Sequence, residues 1–259
     1  MTTVQIMKRL GVVAIAFGMT LIQCLFALAD DQAAQLPEDG WWIRYFTASK
    51  LEAFNGTVKE YTIKATYSLV GTVAEDGVKL RWVEVHSIFV ADGKESVVLS
   101  KFLIAEKDLL ESEQPLDKIK RGWLKSGAID VRAVVAGKGI NPYNTRTVVF
   151  PGMWQKAERI GNERILEYQQ GKMAIPEART LQVSTPVEVV GTPNAPNTIN
   201  RKSLIEYTGW YHRTTLPLIA AAKIHTKTFY NDKLNTTQNE DIVMQEYGTG
   251  AKSRLPENN

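Results

Sequence analysis

The chain has 259 residues, of which 44% are hydrophobic and 23% are charged, and its formal net charge is +3 at pH 7. The near balance of 31 basic and 28 acidic residues gives no electrostatic case for binding nucleic acid or an anionic membrane surface. The single cysteine, Cys24, excludes a disulfide framework and a cysteine-based zinc site.

The first 29 residues predict a secretory signal peptide. Two basic residues, Lys8 and Arg9, precede an uncharged stretch of 19 residues that ends in the small-residue sequence Ala-Leu-Ala at positions 27–29. Signal peptidase recognises this pattern, so we expect cleavage after Ala29 and a mature chain that begins at Asp30. The prediction places the protein in a bacterial periplasm or outside the cell.

Two alternatives to cleavage stay open. The uncharged stretch is long enough to span a hydrocarbon core of about 30 Å as an uncleaved N-terminal anchor. The sequence Leu-Ile-Gln-Cys at 21–24 has the outline of a lipoprotein signal, but Gln23 occupies a position that normally holds a small residue. With cleavage, residues 30–259 form one cysteine-free domain, and chains of this size bury roughly 70% of their unfolded surface without disulfides.

The first part of the mature chain predicts four antiparallel strands in a meander. Residues 41–51 are rich in aromatic and β-branched side chains, and residues 61–73 alternate between apolar and polar. Asn-Gly and Asp-Gly turns separate the strands, at positions 55–56, 76–77 and 92–93. The third and fourth strands are apolar on both faces, so another element must cover the second face.

The residues after Pro115 predict a short amphipathic helix that supplies this cover. Pro115 suits the first helical position, Gly127 suits the exit, and the residues between them place apolar side chains at helical spacing. A helix of at most three turns is too short to be stable alone and must dock. Its apolar stripe is either core or the lid of an apolar ligand site, and consists of Leu116, Ile119, Trp123 and Leu124.

The rest of the chain predicts further strands and exposed connections. We expect a short strand near 147–150 and further strands at 164–173, 179–190, 203–213, 221–230 and 241–247. The stretch 191–202 has the composition of an exposed connector, and the polar tail after residue 248 is expected to be ordered only at its start. The pattern is that of a β-rich α+β protein.

No motif predicts catalysis, a metal or a cofactor. The three histidines, at 86, 212 and 225, do not have the spacing of metal ligands, and the strand context of His86 predicts a core or edge histidine. The chain has no Gly-x-Ser-x-Gly and no Ser-x-x-Lys, and the sequence Gly-Thr-Gly-Ala-Lys-Ser at 248–253 lacks the context of a phosphate-binding loop. These observations predict a protein that is not an enzyme and has no cofactor.

Three segments resemble uncharacterised bacterial exported proteins and, more distantly, the lipoprotein-carrier (LolA/LolB-like) fold. They are LPEDGWWIRY at 36–45, YTGWYHRTTLPLIAAAK at 207–223 and GTGAKSRLPE at 248–257. The resemblance implies a strongly curved antiparallel sheet, an incomplete barrel, with one or two short helices covering an apolar concavity. In the carriers that concavity holds acyl chains. No residue here matches a defined functional position of that family.

The leading hypothesis is therefore an exported protein that binds an apolar ligand, a lipid or a lipoprotein acyl chain within a curved sheet. The first alternative is a structural or assembly protein of the cell envelope without a ligand, and the second is a hydrolase. We expect no nucleic-acid partner and no membrane span in the mature chain. The oligomeric state stays open.

Overall fold

The structure is a computed structural model of the chain. It describes residues 35–112, 115–127, 129–134, 149–154, 156–161, 163–175, 178–184, 188–190, 199–211 and 218–255. The predicted signal peptide, His212 and most of the expected connector lie outside these ranges. Within them, no helix is both long enough and apolar enough to cross a membrane.

Antiparallel strands dominate the described part of the chain. They are β1 (Trp42–Ala53), β2 (Val58–Glu75), β3 (Val78–Ala91), β4 (Lys94–Ala105), β5 (Arg121–Ser126), β6 (Ile129–Val134), β7 (Glu158–Ile160), β8 (Arg164–Tyr168), β9 (Gly171–Ile175), β10 (Ala178–Ser184), β11 (Glu188–Val190), β12 (Ile199–Trp210), β13 (Ala221–Tyr230) and β14 (Lys233–Gly248).

Twelve of these strands form one open sheet in the order β6-β5-β4-β3-β2-β1-β14-β13-β12-β10-β7, and β11 pairs with β12 outside this path. Strands β8 and β9 form a separate hairpin. Inward side chains from β1 to β4 and from β12 to β14 meet in a single hydrophobic cluster, so the sheet curves around its core. The prediction of a curved antiparallel sheet that forms an incomplete barrel is confirmed.

Short helical segments cover the core. In the described part of the chain they are α1 (Glu106–Glu111) and two 3-10 turns, Pro115–Lys118 and Pro151–Trp154. Leu109 of α1, Leu116 of the first turn and Trp154 of the second are buried in the main cluster. The expectation of one or two short covering helices is thus confirmed, although not where the sequence predicted the helix.

The two Asp-Gly turns of the meander are confirmed. Asp76 and Gly77 have φ angles of 51° and 75°, and Asp92 and Gly93 have φ angles of 50° and 69°. Positive φ at both central residues is the geometry of a type I′ turn, which matches the twist of antiparallel strands. A turn with the same signs at Asn231-Asp232 joins β13 to β14.

Strand β2 alternates as predicted until a bulge changes its register. Ala65, Tyr67 and Leu69 are buried in the main cluster, and the residues between them are half-buried. The register against β3 shifts between Leu69 and Gly71. Val70 and Val73 consequently pack against a second cluster on the opposite face of the sheet.

The predicted helix after Pro115 is wrong. Pro115–Lys118 forms one 3-10 turn, and the chain then continues as strand β5, in which Trp123 pairs with Lys101 of β4. Ladder hydrogen bonds to β4 satisfy the backbone of this short segment, and a glycine at position 122 lowers its helical propensity. The helical spacing of the apolar residues is therefore overridden by pairing with an available strand.

Other expectations differ from the structure in detail. The predicted strand at 164–173 is two strands, β8 and β9, which form a hairpin. Val149 and Phe150 are buried in the core but do not form a strand. Strand β14 begins at Lys233, eight residues before the predicted start. Residues 249–255, expected to be ordered only at their start, pack against the sheet as far as Leu255.

Candidate functional site

The concave face of the sheet, defined by inward residues such as Tyr45, Tyr67 and Ile242, carries the main hydrophobic core. Phe150 lies over Tyr67 with the ring centroids 6.1 Å apart in an edge-to-face arrangement. The hydroxyl of Tyr45 is fully buried and donates a hydrogen bond to the carbonyl of Ile219 at 2.8 Å. Burial raises the pKa of Tyr45 well above its ordinary value, so the hydroxyl stays protonated.

Trp154 is the largest buried side chain over this face. Its indole lies against Gly209 of β12, where a β-carbon would come within 2.5 Å of the ring, and it meets Tyr207 edge to face at 6.4 Å. Arg179 of β10 donates a hydrogen bond to the carbonyl of Trp154 at 3.2 Å. The covering segment is therefore held to the sheet by packing and by a polar contact.

Two spaces that the described residues leave under the concave face are small. One, lined among others by Ile63, Phe89 and Val149, has a volume of about 20 Å³. Another, between Trp41, Phe150 and their neighbours, has a volume of about 10 Å³. Sites for ligands usually enclose about 300–1,000 Å³. Among the described residues, the packed end of the concavity is filled by side chains.

Toward the β13–β14 turn the concave face becomes polar. Gln238 donates hydrogen bonds to Tyr61 Oη at 2.6 Å and to Ser49 Oγ at 3.3 Å. The Tyr61 hydroxyl in turn donates to Glu240 Oε1 at 3.3 Å, and Glu240 is 8% exposed. A carboxylate on the inner face of a sheet was not predicted from the sequence, because Glu240 lies in a polar stretch without apolar alternation.

The four predicted lid residues do not form one stripe. Leu116 and Ile119 are buried in the main core. Trp123 belongs to a cluster on the other face, and Leu124 is half-buried on β5. The helix that was to align them is absent from this part of the described chain. That any of the four borders a ligand stays a prediction.

The cluster around Trp123, here called the outer cluster, lies on the convex side of β3, β4 and β5. The rings of Trp82 and Trp123 lie 5.0 Å apart, and Lys101 Nζ lies 4.9 Å from the centre of the Trp82 ring. The buried members of the outer cluster are Leu80, Trp82, Leu103, Ala105, Trp123 and Leu255. Trp123 of β5 therefore extends the second apolar face of the meander, and the end of the described chain, at Leu255, covers it.

Residues 249–255, here called the strap, cross the convex face and end in the outer cluster. The backbone N–H groups of Arg254 and Leu255 donate hydrogen bonds to Glu84 Oε2 at 2.9 and 3.2 Å. The hydroxyl of Ser253 donates to the same oxygen at 3.0 Å. Lys101 donates to the carbonyl of Leu255 at 3.3 Å. Glu84 and Lys101 are buried and stand opposite each other in the β3–β4 pairing.

A groove of about 460 Å³ runs beside the strap, lined by Arg44, Glu84, His86 and residues 249–254 among others. The Arg254 guanidinium lies 3.1 Å from His86 Nδ1. Burial lowers the pKa of His86, and the positive charge of Arg254 lowers it further. The predicted core or edge histidine, His86, is half-buried at this groove.

A larger and more open hollow of about 940 Å³ lies on the convex side of β1, β13 and β14. The small side chain of Ala48 lies among longer charged ones there. His225 Nδ1 lies 2.7 Å from Asn239 Oδ1, and Arg164 pairs with Asp241 at 3.2 Å. In the described ranges, no three His, Cys, Asp or Glu side chains are placed to hold a metal ion.

The strap is the feature that sequence analysis missed. Its one signal is Leu255, an isolated large apolar residue in an otherwise polar terminal segment. A lone apolar residue on a polar segment has no periodicity and predicts no element. The residue opposite it, Glu84, likewise carries no signal in the sequence, since its role depends on a contact 171 residues away.

No protein-family model and no curated protein matches the chain. Solved structures that align with it include a candidate lipoprotein from Parabacteroides distasonis, with 8% identity, a TM-score of 0.26, and coverage of 83% of this chain and 98% of that chain. A DUF1329 family protein from Desulfovibrio piger aligns with 12% identity, a TM-score of 0.29, and coverage of 89% and 92%.

A candidate exported protein with a YmcC-like fold from Bacteroides fragilis aligns with 9% identity, a TM-score of 0.23, and coverage of 83% of this chain and 98% of that chain. At these scores and identities the alignments carry no argument about this chain. The resemblance to the lipoprotein carriers stays a prediction.

Proposed function

We propose that the chain is a non-enzymatic exported protein with a structural or assembly role in the cell envelope. Its curved sheet is then a rigid scaffold, and its concave face is occupied by its own side chains instead of a lipid. The observation that carries this proposal is the small volume of two spaces, about 20 and 10 Å³, between the described residues of the sheet and of its covering segments.

The packing over the concave face supports the same proposal. Trp154 and Phe150, both at most 3% exposed, lie against the concave face, in space that a bound acyl chain would have to take. Releasing that space would expose both rings, and each large buried aromatic contributes roughly 3–5 kcal/mol to stability. A ligand would have to replace that contribution before it gained any net affinity.

Uptake of a fluorescent fatty-acid analogue by the intact chain tests the proposal. Wild type should show no saturable uptake. With a second, small apolar probe Trp154→Ala is a positive control, because deletion of the indole leaves an apolar void of the kind that binds small apolar molecules. Saturable uptake by wild type in a one-to-one ratio, displaced by unlabelled fatty acid, would show that the protein is a carrier.

An apolar-ligand carrier is the second candidate. The observation that favours it is the incomplete burial of Ile63, Phe89 and Ile205, which lie on the concave face at the margin of the packed core. These side chains offer an apolar lining next to the hydroxyls of Ser49 and Tyr61. If a lipid binds there, Phe89→Asp should reduce the uptake of the fatty-acid probe, and Trp123→Ala should leave that uptake unchanged.

A further inference from the structure

The contacts of the strap have the form of peptide recognition. Glu84 accepts two consecutive backbone N–H groups and one hydroxyl, and Lys101 donates to the carbonyl that follows. These hydrogen bonds recognise the backbone of an extended segment. The outer cluster binds one side chain of the strap, because Leu255 is 4% exposed and lies among Trp82, Trp123 and their neighbours.

The site exists independently of the strap, because the sheet supplies all of its groups. Glu84 and Trp82 lie on β3, Lys101 on β4 and Trp123 on β5. Their positions are fixed by the β3–β4 and β4–β5 pairing. Without a strap, Glu84 would lose three hydrogen bonds and the apolar surface of the outer cluster would be open to water, an arrangement that favours the binding of another segment.

The connection of the strap to the sheet allows it to leave. It departs from β14 through Gly248-Thr249-Gly250, and Gly250 has a φ of 90° with open space around it, since a β-carbon there would meet no atom within 4 Å. The bonds near this connection are few: Trp42 Nε1 donates to the carbonyl of Thr249 at 3.2 Å, and Ala251 donates to the carbonyl of Gly40 at 2.8 Å. A glycine-flanked connection of this kind permits exchange of a terminal segment between copies.

We propose that the outer cluster with Glu84 and Lys101 is a binding site for an extended Ser-x-Leu segment, and that the strap of a second copy of this chain occupies it in exchange for the chain's own. The second copy is the partner that fits, because it presents the sequence Ser253-Arg254-Leu255 that the site already holds. Within one chain the strap is at a high effective concentration, about millimolar, so exchange in wild type is confined to high protein concentration.

The experiment uses full-length Leu255→Asp, which puts a carboxylate where the apolar anchor was and releases the strap while the pocket stays intact. A blocked peptide of residues 249–255 is titrated in, and the intrinsic tryptophan fluorescence, to which Trp82 and Trp123 contribute, is recorded. Saturable binding is expected, with wild type binding about tenfold or more weakly because its own strap competes. A peptide with the same Leu255→Asp change is the matched control and should not bind.

Exchange is tested by mixing two full-length variants that complement each other. Leu255→Asp has the site but not the anchor, and Glu84→Gln has the anchor but a weakened site. A one-to-one mixture should form a heterodimer in sedimentation analysis, whereas each variant alone stays monomeric. A folded Leu255→Asp chain that binds no peptide would overturn the site, and peptide binding without a heterodimer would overturn exchange. Leu255→Ala replaces the aspartate variant if that one does not fold.

Discussion

The indole of Trp154 lies directly against the α-carbon of Gly209, so close that a β-carbon on Gly209 would come within 2.5 Å of ring atom Cη2. Glycine inside a strand costs roughly 0.5–1 kcal/mol relative to alanine. Its presence next to the last residue of β12 is explained by this close approach. The contact fastens the covering segment to the concave face and is central to the argument that this face is filled.

Gly209→Ala should lower the free energy of unfolding by about 2 kcal/mol or more, because the new methyl group has no space beside the indole. In a Trp154→Leu background the same change should cost much less. Urea denaturation of the two single variants and the double variant measures the coupling, expected to exceed about 1 kcal/mol. Additive effects would show that the two residues are not in contact.

Trp123→Ala should lower the free energy of unfolding by roughly 3–5 kcal/mol, the loss expected for a buried aromatic side chain. Trp123 is 7% exposed and packs against Trp82. Phe54→Ala is the control, because Phe54 is 79% exposed and should change stability by less than about 0.5 kcal/mol. A small loss for Trp123→Ala accompanied by altered uptake of an apolar dye would instead indicate a cavity beneath Trp123.

Gly93→Val should destabilise the protein by more than about 1 kcal/mol, because Gly93 has a φ of 69° and a β-branched residue is strained there. Gly161→Val is a matched control, since both glycines have open space around a β-carbon but Gly161 does not have a positive φ. The midpoints of urea denaturation are measured for both variants. Equal midpoints would mean that the positive φ at position 93 does not restrict which residue types it accepts.

The stability of the protein should decrease on mild acidification through His86. Its folded-state pKa is lowered by burial and by Arg254, whereas the unfolded-state value is about 6.5. The contribution of His86 is therefore complete above about pH 6.5 and is lost as the pH falls through the folded-state value. The urea midpoints measured at about pH 7.5 and about pH 5 should differ less in His86→Gln than in wild type. His225→Gln is the control. If the urea midpoints at the two pH values differ as much in His86→Gln as in wild type, His86 is not the cause of the pH dependence.

The intact mass of the exported protein tests the leader. Cleavage after Ala29 predicts a chain of residues 30–259 that begins with Asp30. Expression in a bacterium with and without the native leader provides the comparison. The full-length mass in a membrane fraction would show an uncleaved anchor, and a lipid-modified chain beginning at Cys24 would show a lipoprotein.

Local signals in the sequence were sufficient to predict the meander. The Asp-Gly pairs need positive φ at both central residues, and the alternation from Tyr61 to Leu69 has the period of a half-buried strand. The turn at Asn231-Asp232 was not predicted because it has no glycine, and the first half of β14 was not predicted because it is polar.

Contacts between residues far apart in the chain determine the features that local sequence patterns did not predict. The apolar residues from Leu116 to Leu124 fit a helix, but pairing of Trp123 with Lys101 places the second half of that segment in a strand. The cover for the convex face came from Leu255, more than 150 residues along the chain from Trp82 and Lys101. Neither outcome has a signal within a window of neighbouring residues.

Native mass spectrometry of the exported protein, purified from the cell envelope without detergent, tests most directly whether the concave face is filled by the chain itself. If the chain fills its own concave face, the native and denatured masses should both equal that of the polypeptide alone. A native mass that exceeds the denatured mass by one lipid or fatty acid, with the excess lost on Phe89→Asp substitution, would contradict it and show that the concavity holds a ligand.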